Sequence, residues 1–286
     1  EVAGEVVKIG AKVTKFKVGD KVLIEPGVPD DTCEYCRTGR YNICPGVDFM
    51  ATQPNYKGAL TQYMTHPEEW TYHIPEGMTT MEGALVEPAA VGMHAAVLGG
   101  AQPGKSIVIL GGGTIGLMVL QACISLGATD ITVVDVIEKR LELAKKLGAA
   151  RVINGKEEDT VAVLRSEEMY GDHGVDLVFE AAGAVFTAQQ AVQIVSRGGK
   201  IMMVGTQSKP VPIDFLKINR EVTIQTSFRY CNNFPQTIEA ISSGRFNVKD
   251  MVTNIYDYED VQKAFEEAID PVKKTEMVKG VIKVAE

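Results

Sequence analysis

Ser106-Ile-Val-Ile-Leu-Gly-Gly-Gly-Thr-Ile-Gly-Leu-Met-Val-Leu-Gln-Ala-Cys123 begins as a continuous apolar run, breaks into glycines and resumes with apolar residues at helical spacing. The pattern predicts a buried strand, a tight turn and a helix. Gly111, Gly113 and Gly116 stand in G-x-G-x-x-G spacing, which opens the turn, lets a pyrophosphate approach the backbone and lets the helix pack closely on its strand. The N–H groups and partial positive charge at the start of that helix would face the phosphates. Glycine-rich turns also end ordinary buried strands, so the context decides. Gly127 stops the helix, and Asp130-Ile-Thr-Val-Val-Asp135 reads as a second buried strand that ends in a carboxylate at the fingerprint distance. A carboxylate there can accept both ribose hydroxyls and repels a 2′-phosphate, which favours NAD over NADP. Asp135-Val-Ile-Glu138 also has the form of a helix capping box, an alternative use of the same side chain. Gly111, Gly113, Thr114, Ile115, Gly116, Asp135 and Arg140 are the expected cofactor contacts.

From this unit outward the chain alternates strand and helix. Strands are predicted at 150–153, 175–180, 200–205 and 222–226, with helices at 138–147 and 187–195 between them. Six parallel strands make an α/β, doubly wound sheet that binds its ligand at the carboxyl ends of the strands. Further helices are predicted at 235–242 and 258–269, followed by a last strand at 280–284. That strand has no partner in the sheet as counted and is expected to return to the first domain.

Ahead of the sheet lies a different grammar. Residues 1–25 alternate apolar and polar positions around turn signals, as short antiparallel strands do, and 59–65 and 70–74 repeat the pattern. Residues 82–98 read as a helix interrupted at Glu87-Pro88. A carboxylate in the apolar stretch Leu85-Val-Glu-Pro-Ala-Ala-Val91 is costly to bury alone, so Glu87 is a site candidate, the alternative being a surface-facing glutamate. Residues 26–45 form a loop without hydrophobic period that needs a reason to be ordered. Cys33, Cys36 and Cys44, with Asp30 three places earlier, could close a tetrahedral zinc site. The alternative is three free thiols in a surface loop.

At 286 residues with 45% apolar content, the chain can bury two cores. A net charge of −8 without basic runs excludes a nucleic-acid partner. No apolar run reaches the ~20 residues needed to span a bilayer, and no signal peptide precedes the first strand, so no membrane partner and a soluble, cytoplasmic protein are expected. Five cysteines, three of them clustered, suit metal ligation better than a disulfide framework. An exposed sixth strand would allow sheet-to-sheet pairing, so a homo-oligomer, dimer or tetramer, is expected.

Together, Glu1-Val-Ala-Gly-Glu-Val-Val7, Val18-Gly-Asp-Lys-Val22, Cys33-Glu-Tyr-Cys-Arg-Thr-Gly-Arg-Tyr-Asn-Ile-Cys-Pro45, Leu85-Val-Glu-Pro88, the glycine fingerprint and Phe228-Arg-Tyr-Cys231 resemble the zinc-containing medium-chain dehydrogenases, above all the sorbitol (polyol) dehydrogenase branch. The resemblance implies a GroES-like β-barrel catalytic domain at 1–92 and 233–286, a Rossmann NAD-binding domain at 93–232, and an active site between them. It implies zinc-assisted oxidation of a small-molecule secondary alcohol, a polyol or diol, by NAD. It further implies that Glu1 and Glu87 reach the catalytic zinc or its water, that Arg229 and Tyr230 contact substrate hydroxyls, and that Cys33, Cys36 and Cys44 match three of four lobe ligands, with Asp30 in place of the first. The family's cysteine and histidine ligands would lie before residue 1. None of His66, His73, His94 or His173 matches them, which implies a truncated chain with an incomplete catalytic zinc site and no turnover as written. A non-catalytic nucleotide-binding remnant and a zinc-independent reductase of the same fold are the alternatives.

Overall fold

The computed structural model describes residues 1–53 and 57–285. Its centre is a six-stranded parallel sheet in the spatial order Thr223–Thr226, Val195–Met203, Val175–Glu180, Ser106–Leu110, Asp130–Asp135, Arg151–Asn154. Counted along the chain, this is the doubly wound order in which the direction of winding reverses beside the first strand. Successive side chains of a strand point to opposite faces. Ile107 and Ile109 therefore enter one core with Ile131, Val133, Leu177 and Phe179, while Val108 and Leu110 enter the other with Val134, Val178 and Ile201. Burial on both faces is why these strands read as unbroken apolar runs rather than alternating ones.

The fifth strand starts at Val195, earlier than its apolar segment, because Val195 pairs with Val175 before an irregularity that resumes at Lys200.

The helix that reads as interrupted at Glu87-Pro88 breaks two residues earlier. Thr79 and Glu82 form a reciprocal capping box on Thr80–Ala84, Leu85 is the joint, and Val86–Gly99 runs on continuously. Pro88 falls in its first turn, where no intrahelical N–H bond is required. This second helix is buried along most of its length and packs on Thr114–Ser125. At Gly92 an added Cβ would lie 2.5 Å from the Met118 carbonyl carbon, so only glycine allows the two backbones to meet.

The remaining strands form small sheets. Ala3–Glu5, Lys21–Ile24 and Thr71–His73 pair antiparallel, and Gly27–Val28 pairs with Asp48–Phe49. The expected strand at 59–65 is irregular: its residues are mostly exposed, so the alternation finds no partner ladder. The final strand, Lys279–Lys283, has no partner in the six-stranded parallel sheet. It pairs in parallel with Val252–Asp257, a strand absent from the sequence reading because Tyr256 is its only buried residue. No helix among the described residues is long and apolar enough to cross a membrane.

Candidate functional site

The glycine turn sits at the carboxyl end of the first sheet strand. Gly111 adopts φ +109°, and a Cβ there would lie 2.8 Å from the Ala182 nitrogen. A Cβ on Gly116 would come within 1.8 Å of the Gly111 carbonyl oxygen, so the helix can start this close to the turn only with glycine at that place. Gly113 is the N-cap of Thr114–Ser125 and makes no side-chain cap, which leaves the first helical N–H groups of Thr114, Ile115 and Gly116 free of such a contact.

Asp135 closes the turn from the neighbouring strand. Its Oδ2 accepts the Gly112 N–H at 2.7 Å, and its Oδ1 accepts those of Val136 and Ile137 at 2.8 and 2.9 Å. The capping-box alternative does not form, since Ile137 is the N-cap of Glu138–Lys146 and no side chain caps it. Arg140 places Nη1 3.6 Å from Asp135 Oδ2, and its Nε is buried without a hydrogen-bond partner. The sequence held no sign of what lies over this corner: Thr114 Oγ1 donates to the Val278 carbonyl, and Lys139 pairs with Glu276 at 2.8 Å.

The cysteine loop is ordered by its own polar groups. Cys33 is the N-cap of the short helix Glu34–Arg37, and Cys44 follows the turn Tyr41–Ile43. The ligand atoms of Asp30, Cys33, Cys36 and Cys44 all lie within 4.8 Å of one another. Cys33 and Cys36 bring their sulfurs to 3.4 Å, against the ~3.8 Å edge of a tetrahedron with Zn–S bonds near 2.3 Å. Asp30 Oδ1 accepts the N–H groups of Thr32 and Cys33 at 2.8 and 2.9 Å, which holds its carboxyl well below the ordinary range. The Cys36 N–H directed at Cys33 Sγ likewise lowers that thiol. Three thiols and an ionised carboxylate at this spacing fit a zinc ion.

Arg229 and Tyr230 both feel the buried Glu87 carboxyl. Burial pushes the Glu87 carboxyl up, the Glu1 carboxylate adds to the shift, and Tyr230 and Lys279 oppose it. Glu1 also pairs with Lys279. Tyr230 is almost fully covered, and its hydroxyl faces Glu87 without closing a hydrogen bond. The Arg229 guanidinium lies 3.8 Å from the Phe49 ring centre and 4.8 Å from that of Phe228. Of metal donors, Glu1 and Glu87 bring two carboxylates to this place, and the described residues add no thiol or imidazole to them.

Glu25 is the site residue that sequence reasoning missed. It is fully buried at the end of the strand Lys21–Ile24 and lines a small cavity with Tyr41, Asn42, Phe49, Arg229 and Tyr230. Tyr41 donates to its Oε1 at 2.7 Å and Tyr72 to its Oε2 at 2.9 Å. Burial outweighs both bonds and raises its pKa to about 7. A glutamate directly after an apolar strand, Val22-Leu-Ile-Glu25, is the one signal that could have singled it out.

Comparison with known proteins places these features. The family described as "Alcohol dehydrogenase GroES-like domain" matches residues 1–76, and "Zinc-binding dehydrogenase" matches 114–243. The zinc-type alcohol dehydrogenase-like protein YdjJ of Escherichia coli (strain K12) is 63% identical over all of this chain and 81% of its own length. The sorbitol dehydrogenase of Bacillus subtilis (strain 168) is 42% identical, over 94% of this chain and 76% of its own. Among solved structures, an Escherichia coli oxidoreductase/dehydrogenase of unknown specificity, ECK1772, superimposes with a TM-score of 0.96 at 63% identity, covering 99% of this chain and 81% of that one.

Proposed function

The chain belongs to the zinc-type medium-chain alcohol dehydrogenase family, and from that membership we propose that it oxidises a secondary alcohol, a polyol such as sorbitol or a small diol, to the ketone with NAD as hydride acceptor. The observation that carries the reading is that Arg229 and Tyr230 line one small cavity while the Tyr230 hydroxyl faces the buried Glu87 carboxyl. Similarity to a sorbitol dehydrogenase supports the polyol. Asp135, held by three N–H donors at the strand end where the adenosine ribose would lie, supports NAD over NADP. The proposed division is a GroES-like part at 1–92 and 233–286 and a cofactor part at 93–232, with the helix Val86–Gly99 running through the junction.

The roles follow from what each side chain lacks. Arg229 has a guanidinium pinned between two rings and no ion pair among the described residues, so its N–H edge is preorganised for substrate oxygens. A covered, unpartnered hydroxyl such as that of Tyr230 costs about 1–3 kcal/mol, which a hydrogen bond to a neighbouring substrate hydroxyl would recover. Glu87 would orient water at the reacting oxygen. Glu1 and Glu87 are two carboxylates where a catalytic zinc needs about three protein ligands, so the described residues do not by themselves complete that site; with the missing ligands supplied, zinc would polarise the substrate hydroxyl as a Lewis acid. NAD, bound at the glycine turn, would accept the carbinol hydrogen as hydride while the hydroxyl proton would pass to solvent, leaving the ketone. Asp30, Cys33, Cys36 and Cys44 would hold a second, structural zinc.

Two coarser elements belong to the same proposal. All five cysteines are free, which suits a reducing compartment such as the cytoplasm. The edge strand Thr223–Thr226, with exposed Phe215 and Leu216 preceding it, suits a homo-oligomer.

The test is NADH formation over a panel of polyols and diols by zinc-supplied protein carrying a cysteine and a histidine ligand added ahead of Glu1, beside the chain without them. Turnover of at least one member by the form with the added ligands, faster with NAD than with NADP, and none by the chain without them, is expected. Absence of reduced cofactor across the panel with the added ligands would overturn the reading.

A further inference from the structure

The segment that carries Arg229 and Tyr230 is held in a conformation it would not choose. Arg229 and Asn232 both adopt left-handed backbone angles, φ +53° and +57°, which non-glycine residues disfavour unless their surroundings fix them. Those surroundings are the cysteine lobe. Asn42 Nδ2 donates to the Phe228 carbonyl at 2.9 Å, Asn232 Nδ2 to the Gly39 carbonyl at 2.8 Å, and Cys231 Sγ to the same carbonyl at 2.9 Å. The fourth contact is the Asn232 N–H, which donates to the Tyr41 hydroxyl at 2.8 Å.

That last bond depends on Glu25. A tyrosine hydroxyl has one proton. Tyr41 spends it on Glu25 Oε1 at 2.7 Å, so the oxygen can only accept from Asn232. The order N–H, hydroxyl, carboxylate is thereby fixed, and each bond polarises the next. Tyr72 closes the other carboxylate oxygen at 2.9 Å and stops Glu25 from turning away.

We propose that Glu25 is a positioning residue for the reaction, holding the Arg229–Tyr230 segment in place through the Tyr41 hydroxyl. The proposal rests on the substrate roles given above to Arg229 and Tyr230. It assigns Glu25 no proton transfer, so an acceptor of the same shape suffices at position 25.

Four variants test it: Tyr41→Phe, Glu25→Leu, Glu25→Gln and Tyr72→Phe. Amide hydrogen exchange of residues 228–233 in the ligand-free protein is measured first. Tyr41→Phe and Glu25→Leu are expected to speed exchange there about tenfold, the loss of one buried hydrogen bond. Tyr72→Phe should do less, and Glu25→Gln, whose carbonyl can still accept from Tyr41, should stay near the parent. In turnover by the form with the added ligands, Tyr41→Phe should raise KM about tenfold and leave kcat within about twofold, while NAD affinity at the distant glycine turn is unchanged. Glu25→Gln should keep both constants. Parental exchange and parental KM in Tyr41→Phe would overturn the proposal, whether or not Glu25→Leu folds, and so would a collapse of kcat in Glu25→Gln. Absence of turnover in that form without the four substitutions would count against the proposed function alone, because the exchange measurement still decides whether the clamp exists.

Discussion

Asp135 and Glu25 are both buried carboxylates at the ends of strands, and the two halves of the molecule satisfy them in different ways. Asp135 accepts three backbone N–H groups, two of them from the residues that follow it. Glu25 accepts two tyrosine hydroxyls from separate elements, one in the cysteine lobe and one in the strand Thr71–His73. Backbone donors come with the turn itself, whatever side chains surround it. Phenol donors exist only once distant segments have packed. The cofactor corner is therefore a local structure, and the substrate corner is a tertiary one that ties lobe, barrel and the 228–233 segment together.

The contrast can be broken from the cofactor side. Gly116→Ala drives a methyl group against the Gly111 carbonyl, and relief requires moving backbone rather than a side chain. A loss of at least ~3 kcal/mol in denaturant unfolding is expected, together with loss of NAD binding by calorimetry. Parental stability would mean that the turn is softer than its geometry implies.

On the substrate side the contrast sharpens with pH. Burial raises Glu25 to about 7 from an unfolded value of 4.5, so the folded state binds the extra proton between these values. Its ionisation therefore lowers stability as pH rises through that window, and the deficit is complete above pH 7. Glu25→Gln removes this contribution. The variant should gain on the parent by up to ~3 kcal/mol between pH 4.5 and 7, measured as the difference between their unfolding curves. A flat difference would show that Glu25 is not desolvated.

Asp135→Ala removes the acceptor of the Gly112, Val136 and Ile137 N–H groups, of which Gly112 is buried and Val136 is exposed. The expected loss is ~2 kcal/mol and a narrower gap between NAD and NADP affinities in titration calorimetry. An unchanged gap would remove Asp135 from the ribose site.

The smallest effect on global stability is expected from chelation. Protein prepared without chelators should hold roughly one zinc in the lobe by elemental analysis, and its removal should loosen residues 26–45 and speed exchange at 228–233. The sheet, packed on both faces without the lobe, should keep its unfolding midpoint. A lobe that holds no zinc would contradict the donor geometry.

What could be read in advance follows the same division. The strands at 106–110, 130–135 and 175–180 have the same bounds in the structure as in the sequence reading because each is buried on both faces and ends at a turn glycine or carboxylate. The four lobe donors were legible because their spacing is local. Glu25 was not, since its partners lie 16 and 47 residues away. The strand Val252–Asp257 was missed because it is half-exposed and its partner is Lys279–Lys283 rather than a hairpin neighbour. The stretch 59–65 misled in the opposite direction, with strand-like alternation and nothing to pair with. Glu87 was legible as an oddity, a carboxylate in an apolar run, but its nearness to Tyr230, Glu1 and Lys279 is a product of the fold.

The most direct test of the central claim follows the hydride itself. A polyol carrying deuterium at its carbinol carbons is incubated with NAD and the zinc-supplied protein carrying the added ligands, and the reduced cofactor is examined by mass spectrometry. Oxidation at this cleft should place one deuterium on the nicotinamide ring and yield the matching ketose. Reduced cofactor without deuterium, or no reduced cofactor with any polyol that the protein binds, would contradict it.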